Sequence, residues 1–171
     1  MARTGDIGTS SLVHEAALAL GAVSHDPAEL VLACRQLIEH RPSSGPLVWL
    51  AARMLTGADP RNEAWDAAEM IQRDKTVREL EHALPGDTGV VVIGSPELAS
   101  QALTARGDAE VFVADTTGDG YGLVHRLDLN DRLAVDVPLA GLGSAVGDAD
   151  LVLLETDALS PDSAICSVGS L

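Results

Sequence analysis

The strongest constraint on the fold is an unbroken run of β-branched residues near the middle of the chain, Val90, Val91, Val92 and Ile93. The run is too short for a helix, and it lacks the polar alternation of a strand that has one face in water. Strands buried on both faces occur in parallel sheets that are covered by helices. We therefore expect residues 90–93 to form a buried strand of a parallel sheet.

The chain after this run repeats strand and helix. The turn Gly94-Ser95-Pro96 opens a predicted helix over 96–105, and residues 110–114 form the second predicted strand. A predicted helix over 121–133 and strands over 134–138 and 151–154 follow. Strands separated by helices imply right-handed crossovers, so we expect a Rossmann-like, mostly parallel sheet.

The chain before this run has apolar residues at helical spacing instead. Asp26-Pro27 and Asp59-Pro60 are helix starts, each a capping carboxylate followed by a first-turn proline. Four helices are predicted, and the last is expected to run from Asp59-Pro60 to Leu84 despite the charged stretch at 72–75. The predicted organisation is a helical domain over 1–86 and an α/β domain over 87–171.

Composition and charge exclude several classes of function. Aromatic residues make up only 2% of a chain that is 46% hydrophobic, so the core must be built from Ala, Val and Leu. The formal net charge is -15, and the single lysine and the scattered arginines form no basic patch, which argues against nucleic acid as a partner. No apolar run is long enough to span a bilayer, and the start of the chain does not resemble a secretory signal. We expect a cytoplasmic protein without a membrane partner.

No metal or cofactor is expected. Cys34 and Cys166 lie far apart and have no metal-ligand spacing, so we interpret them as buried or incidental thiols. Asp115 follows Gly94 by the distance typical of a ribose-binding acid, but the turn at 94–99 lacks the further glycines of a dinucleotide fingerprint. The histidines share no ligand spacing and are interpreted as surface or cap residues: His14, His25, His40, His82 and His125.

Three ordered segments of the sequence resemble one family. Residues 150–171 resemble its pattern DLVLVGADAVLANGDVVNKVGT, residues 41–47 resemble its RPTAVNL turn, and residues 90–115 follow its strand, THGxS-like turn, helix and acid-terminated strand. The family contains the regulatory subunits of translation initiation factor 2B, methylthioribose-1-phosphate isomerase and ribose-1,5-bisphosphate isomerase. The resemblance covers the chain from about residue 35 to its end.

The resemblance implies a fold and a site. The fold would be a helical domain followed by a Rossmann-like sheet of the NagB/RpiA/CoA-transferase-like kind, in a protein that dimerises and binds a sugar phosphate between its domains. Asp157 matches the catalytic Asp of the isomerases, which acts together with a Cys. Ligand contacts would come from the turn before the third helix and from the strand ends: Arg41, Ser43, Ser44, Gly94, Ser95 and Asp115.

The sequence departs from the isomerases where their chemistry requires particular residues. Gly94 and Ser95 stand in the turn that should hold the catalytic Cys, and a serine hydroxyl is a poor proton donor at neutral pH. Cys166 and Ser167 replace the family's Asn-Lys pair, and Glu155 replaces a glycine and adds a charge that would repel phosphate. The sheet would also end earlier than in the family, which would leave its last strand as an exposed edge.

Alternatives stay open for the individual residues. Arg41 fits a phosphate clamp or a capped turn between helices. Ser43 and Ser44 are interpreted as helix N-caps first and as ligand contacts second. Asp157 fits a catalytic or hydroxyl-binding role, or a cap or turn before Ser160-Pro161-Asp162. Asp115 fits ligand binding or plain solvation.

The function predicted from the sequence is that of a noncatalytic subunit in a homodimer or with a related subunit, with binding of a sugar phosphate or nucleotide. The alternatives are an aldose-ketose isomerase of a phosphorylated pentose, such as methylthioribose 1-phosphate or ribose 1,5-bisphosphate, and an interaction domain without a ligand.

Overall fold

The computed structural model describes residues 8–115 and 120–166 of the chain. These residues divide into two compact units. The first holds the chain up to Asp74 together with Asp157–Ile165, and the second holds Lys75–Thr156 and Cys166. Each unit is described by itself below. The limit near residue 86 between two folding domains stays a prediction.

Four helices form the first unit: α1 (Thr9–Val23), α2 (Pro27–His40), α3 (Gly45–Thr56) and α4 (Pro60–Gln72). The two predicted Asp-Pro starts are confirmed, because Asp26 and Asp59 each accept hydrogen bonds from two backbone N–H groups of the following turn. The core has no buried aromatic side chain among the described residues, and its largest buried members are Leu47, Leu50 and Met54. Alanines of α1 and α4 allow these two helices to pack closely.

The single helix predicted up to Leu84 is wrong. The chain leaves the helix after Gln72, and α5 (Thr76–Ala83) starts again after Lys75. The physical reason is that the two halves bury their apolar residues in different cores. Ala64, Ala67 and Ala68 of α4 lie in the core of the first unit, whereas Leu80 and Leu84 pack in the second.

The second unit contains a four-stranded parallel sheet in the order β3-β2-β1-β4. Its strands are β1 (Gly89–Ile93), β2 (Glu110–Ala114), β3 (Ala134–Val137) and β4 (Leu151–Leu153). Its helices are α5, α6 (Glu97–Ala105), α7 (Gly120–Asp128) and α8 (Leu142–Asp148), with a 3-10 helix at Leu139–Gly141. The predicted class of a helical part followed by a parallel α/β sheet is therefore confirmed.

β1 is the central strand that its sequence predicts. Val90, Val91 and Val92 are fully buried, with Val90 and Val92 in the larger core cluster and Val91 in a smaller cluster. β1 pairs with β2 and with β4 in register, so that Ile93 lies beside Ala114 and Val92 beside Leu153. The carboxyl ends of these strands consequently lie at one edge of the sheet.

Two further details differ from expectation. α7 ends at Asp128 and not at Leu133, because Asp131 adopts a left-handed backbone conformation and the Arg132 N–H donates to the Leu127 carbonyl. Asp157 lies in a strand, β5 (Thr156–Leu159), which pairs with β6 (Ala164–Cys166) in a separate two-stranded sheet.

No helix among the described residues is both long enough and apolar enough to cross a bilayer.

Candidate functional site

The turn between α2 and α3 places Arg41, Ser43 and Ser44 on the surface of the first unit. The Arg41 backbone N–H caps α2 by donating to the carbonyls of Leu37 and Ile38. The Arg41 carbonyl accepts a hydrogen bond from the Ser44 N–H at 3.1 Å. Arg41 and Ser43 are exposed, and Ser44 is half-buried. Ser44 occupies the N-cap position of α3, but its hydroxyl makes no capping hydrogen bond.

Asp157 lies close to this turn although it is far away in the sequence. A Cβ atom added to Gly45, the first residue of α3, would collide with the Asp157 carbonyl oxygen and lie 2.8 Å from the Ala158 Cβ. Only a glycine allows β5 to approach the start of α3 so closely. The structure thus brings Asp157 beside the segment of Arg41, Ser43 and Ser44, and the Asp157 side chain is exposed to solvent.

The other predicted ligand residues lie at the carboxyl edge of the sheet in the second unit. Gly94 follows β1 with a φ of +66°, and its N–H donates to the Ala114 carbonyl at 2.8 Å. Ser95 is exposed and accepts a hydrogen bond from Arg126 Nη2 at 3.1 Å. Asp115 follows β2 and is half-buried. The rest of the predicted acidic turn, residues 116–118, lies outside the described residues.

The first turn of α6 is a ready-made binding site for an anion, because its backbone N–H groups have no partner within the helix. Glu155, just beyond β4, fills this site. Its Oε2 accepts hydrogen bonds from the Leu98 N–H at 2.8 Å and from the Ala99 N–H at 3.0 Å. The carboxylate is half-buried and interacts favourably with the positive end of the helix dipole. The protein itself therefore supplies the anion at the N-terminus of α6.

Sequence reasoning identified the charge of Glu155 but not its hydrogen bonds, and it missed Arg126. The signal for Glu155 was an acid directly after a strand that ends beside β1, where it can reach the following helix. Arg126 carried no comparable signal. It lies in the last turn of α7, which residues 116–119 separate from β2 in the sequence.

Neither cysteine lies in the turn that follows β1. Cys34 is buried in the helical core of the first unit, and this burial raises the pKa of its thiol, which favours the unreactive protonated form. Cys166 lies in β6 and is half-buried. Within residues 8–115 and 120–166, no three His, Cys, Asp or Glu side chains are placed to hold a metal ion.

Comparison with solved structures reveals one recurrent fold. The chain superposes on the Pyrococcus horikoshii OT3 translation initiation factor eIF-2B with a TM-score of 0.70 and 13% identity, covering 91% of this chain and 62% of that one. The chain has the fold of an eIF2B subunit.

Two further structures agree with this fold. The tetrameric eIF2B-beta2-delta2 complex from C. thermophilum matches with a TM-score of 0.68 and 14% identity over 90% of this chain and 62% of that chain. The eIF2B beta structure from Chaetomium thermophilum matches with a TM-score of 0.63 and 15% identity over 90% and 60%. The chain thus spans about three fifths of the length of these eIF2B proteins. No protein-family profile and no curated protein matches the sequence.

Proposed function

We propose that this protein is a noncatalytic, eIF2B regulatory-subunit-like protein whose role is assembly with other subunits. The observation that carries the proposal is the hydrogen bonding of Glu155 to the first turn of α6. The fold, shared with eIF2B subunits at 13–15% identity, supports the same class of protein.

The position of Glu155 argues against sugar-phosphate chemistry at this edge of the sheet. Ligands of parallel α/β sheets bind beyond the carboxyl ends of the strands, and their phosphates use the helix N-termini there. In this protein a carboxylate takes the two N–H groups that a phosphate would need, and its negative charge would repel a second anion.

Proton transfer between the aldose and ketose forms also lacks one of the two residues that the resemblance implies for it. An aldose-ketose isomerase moves a proton between two carbons, and the resemblance implies an Asp and a Cys for this step. The turn after β1 carries Gly94 and Ser95 instead of a Cys. Asp157, the residue that matches the Asp, is exposed to solvent.

Assembly with another subunit is the role that the likeness to eIF2B subunits supports. The solved C. thermophilum complex is a tetramer of beta and delta subunits. We propose that this protein likewise associates, either with a second copy or with a related subunit. A sugar phosphate or nucleotide would then bind at the turn of Arg41, Ser43 and Ser44. The Arg41 guanidinium can hold a phosphate with two hydrogen bonds.

The test is an assay of aldose-ketose conversion with phosphorylated pentoses, including methylthioribose 1-phosphate and ribose 1,5-bisphosphate. We expect no turnover above the buffer rate in the wild type, in Asp157→Asn or in Arg41→Ala. Turnover that disappears in Asp157→Asn but survives in the exposed control Asp162→Asn would make the protein an isomerase and overturn the proposal.

A thermal-shift screen tests the ligand. A ligand present at a hundredfold excess over its Kd stabilises the folded state by about 2.7 kcal/mol. We expect such a shift with a sugar phosphate or nucleotide in the wild type and its loss in Arg41→Ala. A flat screen would leave assembly as the only role.

A further inference from the structure

Met70 lies in the last turn of α4, outside the cluster of buried side chains that forms the core of the first unit. The residue is 55% exposed, and its sulfur contacts an arginine of α3. Arg53 Nη1 donates a hydrogen bond to the Met70 Sδ at 3.1 Å. A thioether sulfur is a weak acceptor, whereas a guanidinium is a strong, charged donor. The contact therefore leaves Arg53 with a poor partner, which a stronger acceptor at the same place would improve.

The rest of the Arg53 guanidinium is held by its neighbours. Its Nε donates to Glu63 Oε2 at 2.7 Å, and its Nη2 forms a salt bridge with the same oxygen at 2.5 Å. The guanidinium carbon lies 5.3 Å from the centre of the Trp49 ring, which is a cation–π contact. Glu63 itself packs tightly, because a Cβ atom added to Gly57 would collide with its Cγ. Arg53 is thus fixed from two sides, with Nη1 directed at Met70.

We propose that Met70 is an oxidation site, at which a peroxide forms a methionine sulfoxide that Arg53 binds. The Met70 sulfur attacks one oxygen of hydrogen peroxide, an S–O bond forms and the O–O bond breaks. The sulfur is oxidised by two electrons. The proton of the transferred oxygen passes to the departing oxygen, which leaves as water. A methionine side chain has three rotatable bonds, so the exposed side chain can turn the new oxygen toward Arg53 Nη1.

Oxidation at this position should strengthen the protein. Methionine sulfoxide usually disrupts a structure because it brings a polar group into an apolar core. Met70 lies outside the core, and its sulfoxide oxygen would accept a charge-assisted hydrogen bond that ties α4 to α3. Methionine sulfoxide is also reversible, since reductases return it to methionine. Met70 together with Arg53 would therefore form a peroxide-sensitive switch that tightens the packing of these two helices.

Burial separates Met70 from the other methionine of the described residues. Met54 is fully buried in the helical core, where peroxide has no access while the protein is folded. Met54 is consequently an internal control for selectivity. In the wild type treated with hydrogen peroxide, peptide mass spectrometry should find one added oxygen on Met70 at a rate at least about tenfold higher than on Met54.

The melting temperature reports whether Arg53 binds the sulfoxide. The oxidised wild type should melt about 2 to 4 °C above the untreated protein, because a strong acceptor replaces a weak one beside a charged donor. Treatment with the two classes of methionine sulfoxide reductase, one for each epimer, should remove this shift.

Three variants assign the shift to the contact. Met70→Leu keeps every other oxidisable group of the chain, so peroxide should leave its melting temperature unchanged. Met70→Gln supplies an amide oxygen to Arg53 and should melt above Met70→Leu without any peroxide. Arg53→Lys keeps a positive charge beside Glu63 and Trp49 but replaces the guanidinium fork with one ammonium group. Its Met70 should still be oxidised, without a rise in melting temperature.

Each of four results would overturn the inference. Met54 could be oxidised as fast as Met70, which would show that exposure does not select the site. An oxidised wild type that melts at or below the temperature of the untreated protein would show that the sulfoxide gains no partner. A rise of equal size in Arg53→Lys or in Met70→Leu would place the stabilising contact elsewhere. A Met70→Gln variant that melts no higher than Met70→Leu would show that Arg53 does not favour a stronger acceptor.

Discussion

Removing the Glu155 carboxylate should destabilise the second unit, because the first turn of α6 loses the acceptor for two N–H groups. Loss of a capping acceptor costs about 1 kcal/mol, and loss of a half-buried charge at the positive end of a helix raises the total to about 2 kcal/mol. Glu155→Ala should show this loss in full. Glu155→Gln keeps an acceptor oxygen without the charge and should lose roughly half as much.

Urea unfolding followed by circular dichroism measures the effect. With an m-value of about 2 kcal/mol/M, the transition midpoint of Glu155→Ala should fall by about 1 M. The matched control is Glu110→Ala, which removes an exposed carboxylate at the start of β2 and should change the free energy of unfolding by less than about 0.5 kcal/mol. If the Ala variants at 155 and 110 unfold at the same midpoint, the reasoning about the α6 N-terminus is refuted.

Three further predictions concern the free energy of unfolding, measured by urea or heat. Gly45→Ala should lower it by about 1 to 3 kcal/mol because the new Cβ collides with the backbone of β5, whereas Gly147→Ala, with open space around its Cβ, should be neutral or stabilising by up to about 1 kcal/mol. Leu50→Ala should lower it by about 3 kcal/mol, since Leu50 is fully buried between helices; a loss below about 1 kcal/mol would contradict this packing. The hydrogen bond from Arg106 lowers the pKa of Asp108 from 3.8 to about 2, so this pair stabilises the fold above pH 4 and its contribution disappears as the pH falls from 4 to 2. Asp108→Asn should flatten that part of the stability profile, and an unchanged acid limb would contradict the assignment.

The strands of the sheet could be predicted from the sequence because they are short, largely apolar segments that alternate with helical ones. The run at 90–93 is buried on both faces in the structure as its composition requires. The break between α4 and α5 could not be predicted in the same way. The spacing of the apolar residues predicts a helix, but it does not show that Ala68 and Leu80 belong to different cores.

In the candidate site, too, some features could be predicted from the sequence and others could not. Gly94, Ser95 and Asp115 were expected at one edge of the sheet because parallel strands end together, and the register of β1 and β2 places them there. The hydrogen bonds of Glu155 join residues 57 and 56 positions apart and depend on the direction in which α6 starts. No local pattern encodes that direction. β5 was missed because a four-residue strand with mostly exposed side chains has no hydrophobic periodicity.

The role of Glu155 is tested most directly by whether an added anion can reach the first turn of α6. We would titrate inorganic phosphate into the 15N-labelled protein and follow the amide resonances of Leu98 and Ala99 in the wild type and in Glu155→Gly. If Glu155 closes the site, both resonances stay in place in the wild type and move to a saturating shift in the variant. Saturable movement of both amides in the wild type would show that phosphate displaces Glu155, and this result would contradict the claim that the protein's own carboxylate closes the site.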